Sequence, residues 1–509
     1  DVYKRQIDCL CRCGAVSLGT VTGVLTQLLI DGALVAGGAG TFDTINPATE
    51  EAIGAAADGD AADLDRAIAA ARAAFDTSDW GRDTALRVHC LRQLRDALND
   101  EIETLREITI AEAGAPRSLT YRGQLQTPVD DLGFPAATAE SYPWQVDLGV
   151  AAPMGITTAR TVVREPFGVV GAITPWNFPH QVTFAKIGPA LAAGNTVVLK
   201  PAPDTPWCAA EVGRIIVEKT DFPPGVVNIV TASDHRIGAR LAEDPRVDVV
   251  SFTGSTATGR SVMTAAAQTI KKVFLELGGK SAFVVLDDAD LSAACTAAAS
   301  TVAIHAGQGC ALTTRLLVPR ARYGEALDAV AAAISGVAVG DPNDPKTLCG
   351  PLISAKQRDR VQSYLDLAIA EGGTFACGGG RPDDLDRGFY IEPTVIAGLS
   401  NEARVAREEI FGPVLVVLAH DGDDDALRIA NDSPYGLSAT VFGSEDRAAR
   451  MASRLRVGTV NVNGGMWYAA DVPFGGYKQS GVGREMGLAG FEEYLETKVV
   501  ATAVSGAQR

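Results

Sequence analysis

Residues 169–200, VVGAITPWNFPHQVTFAKIGPALAAGNTVVLK, decide the fold. Val169–Thr174 is a short apolar run of the kind found in strands covered on both faces. It breaks at Pro175-Trp176-Asn177-Phe178-Pro179, a helix is predicted over 183–193, and the strand Thr196–Leu199 ends in Lys200-Pro201-Ala202-Pro203. The unit then repeats with a helix over 206–219, a strand Val226–Val230, a helix near 235–243 and a strand Val247–Phe252. That last strand opens through Thr253-Gly254-Ser255-Thr256-Ala257-Thr258-Gly259 into another helix. Strand and helix alternate about every 25 residues, the pattern of a doubly wound parallel α/β sheet. Ligands bind such sheets at the carboxyl ends of the strands, where Asn177, Lys200 and Gly254–Gly259 fall.

Downstream the alternation starts again. Strands are predicted at Ala282–Leu286, Thr314–Val318, Val414–Leu418 and Ala439–Phe442, with helices over 290–305, 322–335 and 354–371, so a second α/β domain follows. Residues 373–388 read as a polar loop. Upstream, short strands from Leu28 are broken by Asp-Gly, Gly-Gly and Asn-Pro turns. Asp60–Ala74 reads as a helix capped by Asp60 or Asp63, and Thr84–Ala113 as one or two helices ending at Gly114. A helix interrupted by Pro and Gly is expected within 120–145, then an exposed strand Thr157–Val163.

At 509 residues two or three domains are expected. With 47% hydrophobic and 21% charged residues the composition is globular. The net charge of −17 argues against nucleic acid or an anionic membrane as partner. Nine scattered cysteines give neither a disulfide framework nor paired zinc spacing, which suits a reducing cytoplasm and predicts no metal site. Cys9, Cys11 and Cys13 alternate without a second ligand cluster and are read as incidental. No run reaches the roughly 18 to 20 apolar residues of a membrane span. Lys4 and Arg5 before the apolar 15–30 imitate a secretory signal only faintly, since Arg12 and Gln27 interrupt it. The opening DVYKRQ resembles translated adapter sequence, and residues 1–24 are expected to be a non-native or disordered extension.

Chemistry concentrates between Phe274 and Arg315. Glu276 follows an apolar run, and Cys310 sits in Gly307-Gln308-Gly309-Cys310, where glycines leave a substrate room to reach sulfur and supply N–H groups for a developing negative charge. Singly, each is more often a surface acid or a small buried hydrophobe. The Asn177 amide, hemmed by prolines, is either an ordinary turn residue or an oxyanion donor. Lys200 is either solvated or within reach of a ribose. Gly254–Gly259 is either a tight turn or a seat for a pyrophosphate at a helix N-terminus. As a P-loop it would have Arg260 where lysine is required, and it lacks G-x-G-x-x-G.

In order, PWNFP, KPAPDTP, FTGSTATG, LELGGK, GQGC, EEIFGPV, NVNG and PFGGYKQSG resemble the motifs of the aldehyde dehydrogenase superfamily, over about residues 25–505. The 34 residues from Glu276 to Cys310 also match its spacing. The resemblance implies NAD(P)-dependent oxidation of an aldehyde to the carboxylic acid. Cys310 would attack the aldehyde to give a thiohemiacetal, with the Asn177 amide and the Cys310 N–H holding the oxyanion. Loss of hydride to the nicotinamide would leave a thioester, and Glu276 would activate the water that hydrolyses it, which favours hydrolysis over transfer to coenzyme A.

For the cofactor the resemblance implies Thr174, Pro175, Trp176, Lys200, Pro203, Gly254, Ser255, Gly259, Leu277, Glu409 and Phe411. Pro203, with Asp204 beside it, stands where strict NAD users carry glutamate, so NAD is predicted with NADP possible. Val182, Ala185, Ile304, Ala311, Trp467 and Tyr468 are implied for the substrate pocket. Their aliphatic and aromatic character predicts a medium apolar aldehyde, the alternative being a semialdehyde or betaine aldehyde. The implied domains are an NAD(P)-binding domain over 25–147 and 167–275, a catalytic domain over 276–486, and a β arm over 148–166 and 487–503 that makes a homodimer or homotetramer. Two other classes compete. Arg260 and the Cys310 loop weigh against a P-loop nucleotide hydrolase, and the presence of both Cys310 and Glu276 weighs against a catalytically silent binding protein.

Overall fold

In the computed structural model, which describes residues 25–504, Val169–Ile173 lies inside an eight-stranded sheet. The expected extension over 1–24, with Cys9, Cys11 and Cys13, falls outside the described residues. The strand order is Ala33–Ala36, Gln27–Ile30, Val227–Ile229, Thr196–Lys200, Val169–Ile173, Val249–Thr253, Lys272–Glu276, Gly481–Val482. The five central strands pair in parallel, and antiparallel pairing is confined to the flanks. From Val169–Ile173 the chain winds one way through 196–200 and 227–229, then returns to lay 249–253 and 272–276 on the other side. The switch point therefore lies between Val169–Ile173 and Val249–Thr253, and a crevice opens outside their carboxyl ends.

Alternation along the strands builds two cores. Val170, Ala172, Val197 and Leu199 pack on one face with Phe184, Ile187 and Ile215. Val169, Val198 and Val250 pack on the other with Leu64, Ile68 and Leu241. The helix predicted over 183–193 spans Pro179–Ala192, starting earlier because Pro179, fixed in φ and lacking a donor, suits the first turn. The Ala61–Thr77 helix has both expected caps. Asp60 accepts from the N–H of Ala62 and Asp63, and Asp63 returns a bond to the N–H of Asp60. Thr84–Ala113 divides into Thr84–Asp100 and Ile102–Ala113, capped by Gly114.

The second sheet has the order Thr374–Cys377, Thr394–Ala397, Val414–His420, Thr313–Pro319, Ser281–Val285, Ser438–Phe442, Thr459–Val462, all parallel except the first strand. Thr374–Cys377 corrects the expected loop. Four residues alternating between exposed and half-buried suffice for an edge strand against 394–397, a signal too short to see among the surrounding glycines. A separate three-stranded sheet joins Gln145–Ala151, Thr158–Pro166 and Leu495–Ala503, and leaves Val146, Leu148, Val150, Val499 and Val500 exposed.

Candidate active site

Asn177 ends the turn after Val169–Ile173 and is 5% exposed. Its Nδ2 donates to the Gln308 carbonyl at 2.8 Å, and its own carbonyl accepts from Gln124 Nε2 at 3.0 Å. A side-chain amide is thus tied to the loop that carries Cys310 two residues later. Gly279 completes the approach from the other side, since a Cβ there would fall 2.9 Å from the Cys310 carbonyl. Cys310 is half-buried. Burial, then the carboxyls of Glu409, Glu276 and Glu485, push its thiol up to about 12.

Glu276 is the last residue of Lys272–Glu276, and neither of its buried carboxyl oxygens has a hydrogen-bond partner among the described residues. Burial, reinforced by Glu485, raises its pKa well above the carboxylate range, against the pull of Lys186 and Arg484. Gly475 makes room for it: a Cβ there would lie 2.7 Å from Glu276 Oε1, and its φ of +152° suits glycine. The PFGGYKQSG turn is therefore a wall of this site.

Sequence reading missed the groups behind Glu276. Lys186, wholly buried on the Pro179–Ala192 helix, donates to Ser251 Oγ at 2.9 Å and pairs with Glu485 Oε1. The available signal was a lone lysine in the apolar run FAKIGPALA, a position that is costly unless paired.

A cleft of about 710 Å3 opens at the switch point, within the range of small-molecule sites. Thr174, Pro175, Trp176, Lys200, Pro203, Gly254 and Ser255 line it. Ser255 caps the Thr256–Ala266 helix, accepting from the Thr258 N–H at 3.2 Å, so other N–H groups of the first turn stay free for an anion. Buried Lys200 reaches the Pro201 carbonyl at 2.9 Å, and burial lowers its pKa to about 8. Gly259 and Leu277 pack on each other below the cleft. Glu409 accepts from the Gly279 N–H at 3.0 Å, and burial pushes its pKa up to about 7. Phe411 meets Trp176 edge-on at 5.4 Å. A long crevice with a helix N-terminus at its edge fits a dinucleotide. Arg260 is spent on Gln479 Oε1 at 2.6 Å, so it does not replace a P-loop lysine.

The expected substrate residues divide. Ala185 and Tyr468 line a second cavity beside the Pro179–Ala192 helix, and Trp467 meets Tyr468 edge-on and stacks on Phe474 at 4.7 Å. Val182 is half-buried on the same helix, and Ile304 and Ala311 are half-buried on either side of the Cys310 loop. None of these three lines that cavity. Among the described residues there is no cluster of metal ligands, and no helix is long and apolar enough to cross a membrane.

Residues 34–500 match the model of the aldehyde dehydrogenase family. A 3-succinoylsemialdehyde-pyridine dehydrogenase from a Pseudomonas species is 43% identical over 470 residues, 91% of this chain and 95% of that protein. A geranial dehydrogenase of Castellaniella defragrans is 42% identical over 460 residues, covering 90% and 94%. Among solved structures, a cysteine-to-alanine mutant of aldehyde dehydrogenase C from Pseudomonas syringae, complexed with NAD+ and octanal, superposes with a TM-score of 0.89. It is 38% identical over 94% of this chain and 96% of its own. The fold is that of an aldehyde-oxidising α/β enzyme. The chain belongs to the aldehyde dehydrogenase family.

Proposed function

We propose that this enzyme oxidises a medium-sized apolar aldehyde to its carboxylic acid through Cys310, with NAD as cofactor. The observation that carries the reading is the junction of Asn177, Gln308 and Cys310, which puts an amide donor and a thiol on one rigid loop contact. Cys310 Sγ adds to the aldehyde carbon, and the Asn177 Nδ2 and the Cys310 backbone N–H hold the oxyanion. Bound nicotinamide supplies the two-electron acceptor. The thioester left on Cys310 meets water activated by Glu276, whose poorly solvated carboxylate is a stronger base than one in water.

The cleft at the switch point would hold the dinucleotide, with Ser255 and the first turn of its helix at the pyrophosphate, Lys200 at the adenosine ribose, and Glu409 with Phe411 at the nicotinamide riboside. Residues 25–147 and 167–275, with the returning strand Gly481–Val482, then form the cofactor domain, and the rest of 276–486 the catalytic domain. The arm of 148–166 and 487–503 would join a second copy in a homodimer or homotetramer. The six described cysteines are unpaired, in keeping with a reducing cytoplasm.

The test is formation of NADH and NADPH with a panel of aldehydes, wild type beside Cys310→Ala. Turnover of medium apolar aldehydes that drops at least about 1,000-fold in the variant supports the thiol route. Equal activity in both proteins removes it, and turnover of short polar aldehydes alone removes the substrate class.

A further inference from the structure

Five residues before Cys310 stands an imidazole that takes no part in the thiol chemistry. His305 is wholly buried, and neither of its ring nitrogens has a hydrogen-bond partner among the described residues. Its backbone is left-handed, with φ of +49°, and Ala306 and Gly307 follow at +53° and +71°. That conformation is costly for the two residues that are not glycine, and it persists where the surroundings over-determine it. Here the surroundings are the junction of Asn177 and Gln308. The His305 N–H donates to the Leu348 carbonyl at 3.3 Å, and the His305 carbonyl accepts from both the backbone N–H and Nε2 of Gln308 at 3.1 Å. Gln308 Oε1 in turn accepts from the Ile353 N–H at 2.9 Å. Gln308 is thus braced at its backbone N–H and its side chain, and its carbonyl receives the Asn177 amide.

The ring completes the brace from the other side of that contact. It meets Phe178, the neighbour of Asn177, edge-on at 5.5 Å. Burial lowers its pKa to about 4 against the pull of the Asn177 backbone, so at neutral pH the ring is uncharged and carries one N–H. The Asn177 carbonyl accepts one hydrogen bond, from Gln124 Nε2, and keeps a second lone pair. We propose that His305 is the positioning residue of the oxyanion donor: its ring fixes the Asn177–Phe178 peptide while its backbone fixes Gln308, which keeps the Asn177 amide in register with Cys310. The inference rests on the reading of Asn177 as the oxyanion donor. A side-chain amide has two torsions to freeze, and a displacement of about 1 Å at a reacting centre can cost about 100-fold in rate.

The experiment is a double-mutant cycle on kcat/KM for octanal with NAD, in the wild type, His305→Ala, Asn177→Ala and the pair. Each rate is divided by the Cys310 thiols that iodoacetamide titrates, so unfolded chains do not count. Alanine suits the position because Ala306 already holds the same backbone conformation. Asn177→Ala should lose about 100- to 1,000-fold. His305→Ala should lose at least about tenfold, and the pair should stay within about threefold of Asn177→Ala alone, because a ring that acts through the amide then has nothing left to place. His305→Asn tolerates the left-handed backbone and offers an N–H, so it should recover part of the loss; it replaces His305→Ala in the cycle if that variant does not fold. An imidazole that only fills space gives another pattern. Either the unfolding temperature falls with kcat/KM per thiol unchanged, or the loss repeats in full on the Asn177→Ala background, and each of these results overturns the role of His305 alone. A wild type that oxidises no octanal, or an Asn177→Ala protein as active as the wild type, removes the oxyanion reading and the role of His305 together.

Discussion

Cys310 is surrounded by acids instead of the cations that usually ready a thiol for attack. With burial and three carboxyls raising its pKa to about 12, the thiolate is scarce at neutral pH and grows with every step upward. The sign is fixed: a raised thiol pKa means reactivity that increases toward alkaline pH. Alkylation of Cys310 by iodoacetamide, followed by intact mass, should therefore rise about tenfold per pH unit from 7 to beyond 9. A plateau near pH 8 would show that a cation or a proton acceptor already serves the sulfur in the free enzyme. Glu276 should act after the sulfur is acylated. In Glu276→Gln an acyl adduct on Cys310 should accumulate to about one equivalent per chain. An adduct-free Glu276→Gln protein with normal turnover would place the base elsewhere. The glycines around Cys310 and the apolar run before Glu276 drew attention to both residues in the sequence, but each signal alone is weak, and only the resemblance to the family's ordered motifs gave them roles. Lys186 and Glu485 were not legible, since a buried charge shows its purpose only when its partner, 299 residues away in the chain, is known.

That pair belongs to two elements, the Pro179–Ala192 helix and the segment after Gly481–Val482. Removing one partner leaves the other charged, buried and close to Glu276. Lys186→Met should cost about 3–5 kcal/mol in urea unfolding, and the double variant Lys186→Met, Glu485→Leu should recover much of it. A single variant as stable as the wild type would mean that water reaches the pair. Elements with a strong period were legible. The strand Thr196–Lys200 and the helix Pro206–Lys219 follow from apolar runs bounded by Gly194 and Pro206. Gly481–Val482 and Thr374–Cys377 were not, because two or four residues carry no period, and only the neighbouring strand makes them strands. The start of the helix at Pro179 was misplaced because a turn rich in proline reads the same whether it ends a loop or opens a helix.

Across the whole molecule, the strand Leu495–Ala503 pairs along its full length with Thr158–Pro166 and leaves Val499 at 63% and Val500 at 45% exposure. Exposed valines on an edge strand are a surface for another chain. Sedimentation should give a dimer or tetramer, and Val499→Lys with Val500→Lys should shift it toward monomer. A wild-type monomer would remove the assembly. A different consequence follows from the two residues Gly481–Val482. They hydrogen-bond to Leu275 and Glu276 on the first sheet, although the chain before them, from Ser281 to Val462, builds the second. The polypeptide thus works as a stitch: it leaves one half, forms the other, and comes back to fasten itself beside Glu276. The return of the chain is therefore anchored at the same strand end that carries the proposed base, so a change in how the two halves are joined is a change in the backbone that holds Glu276.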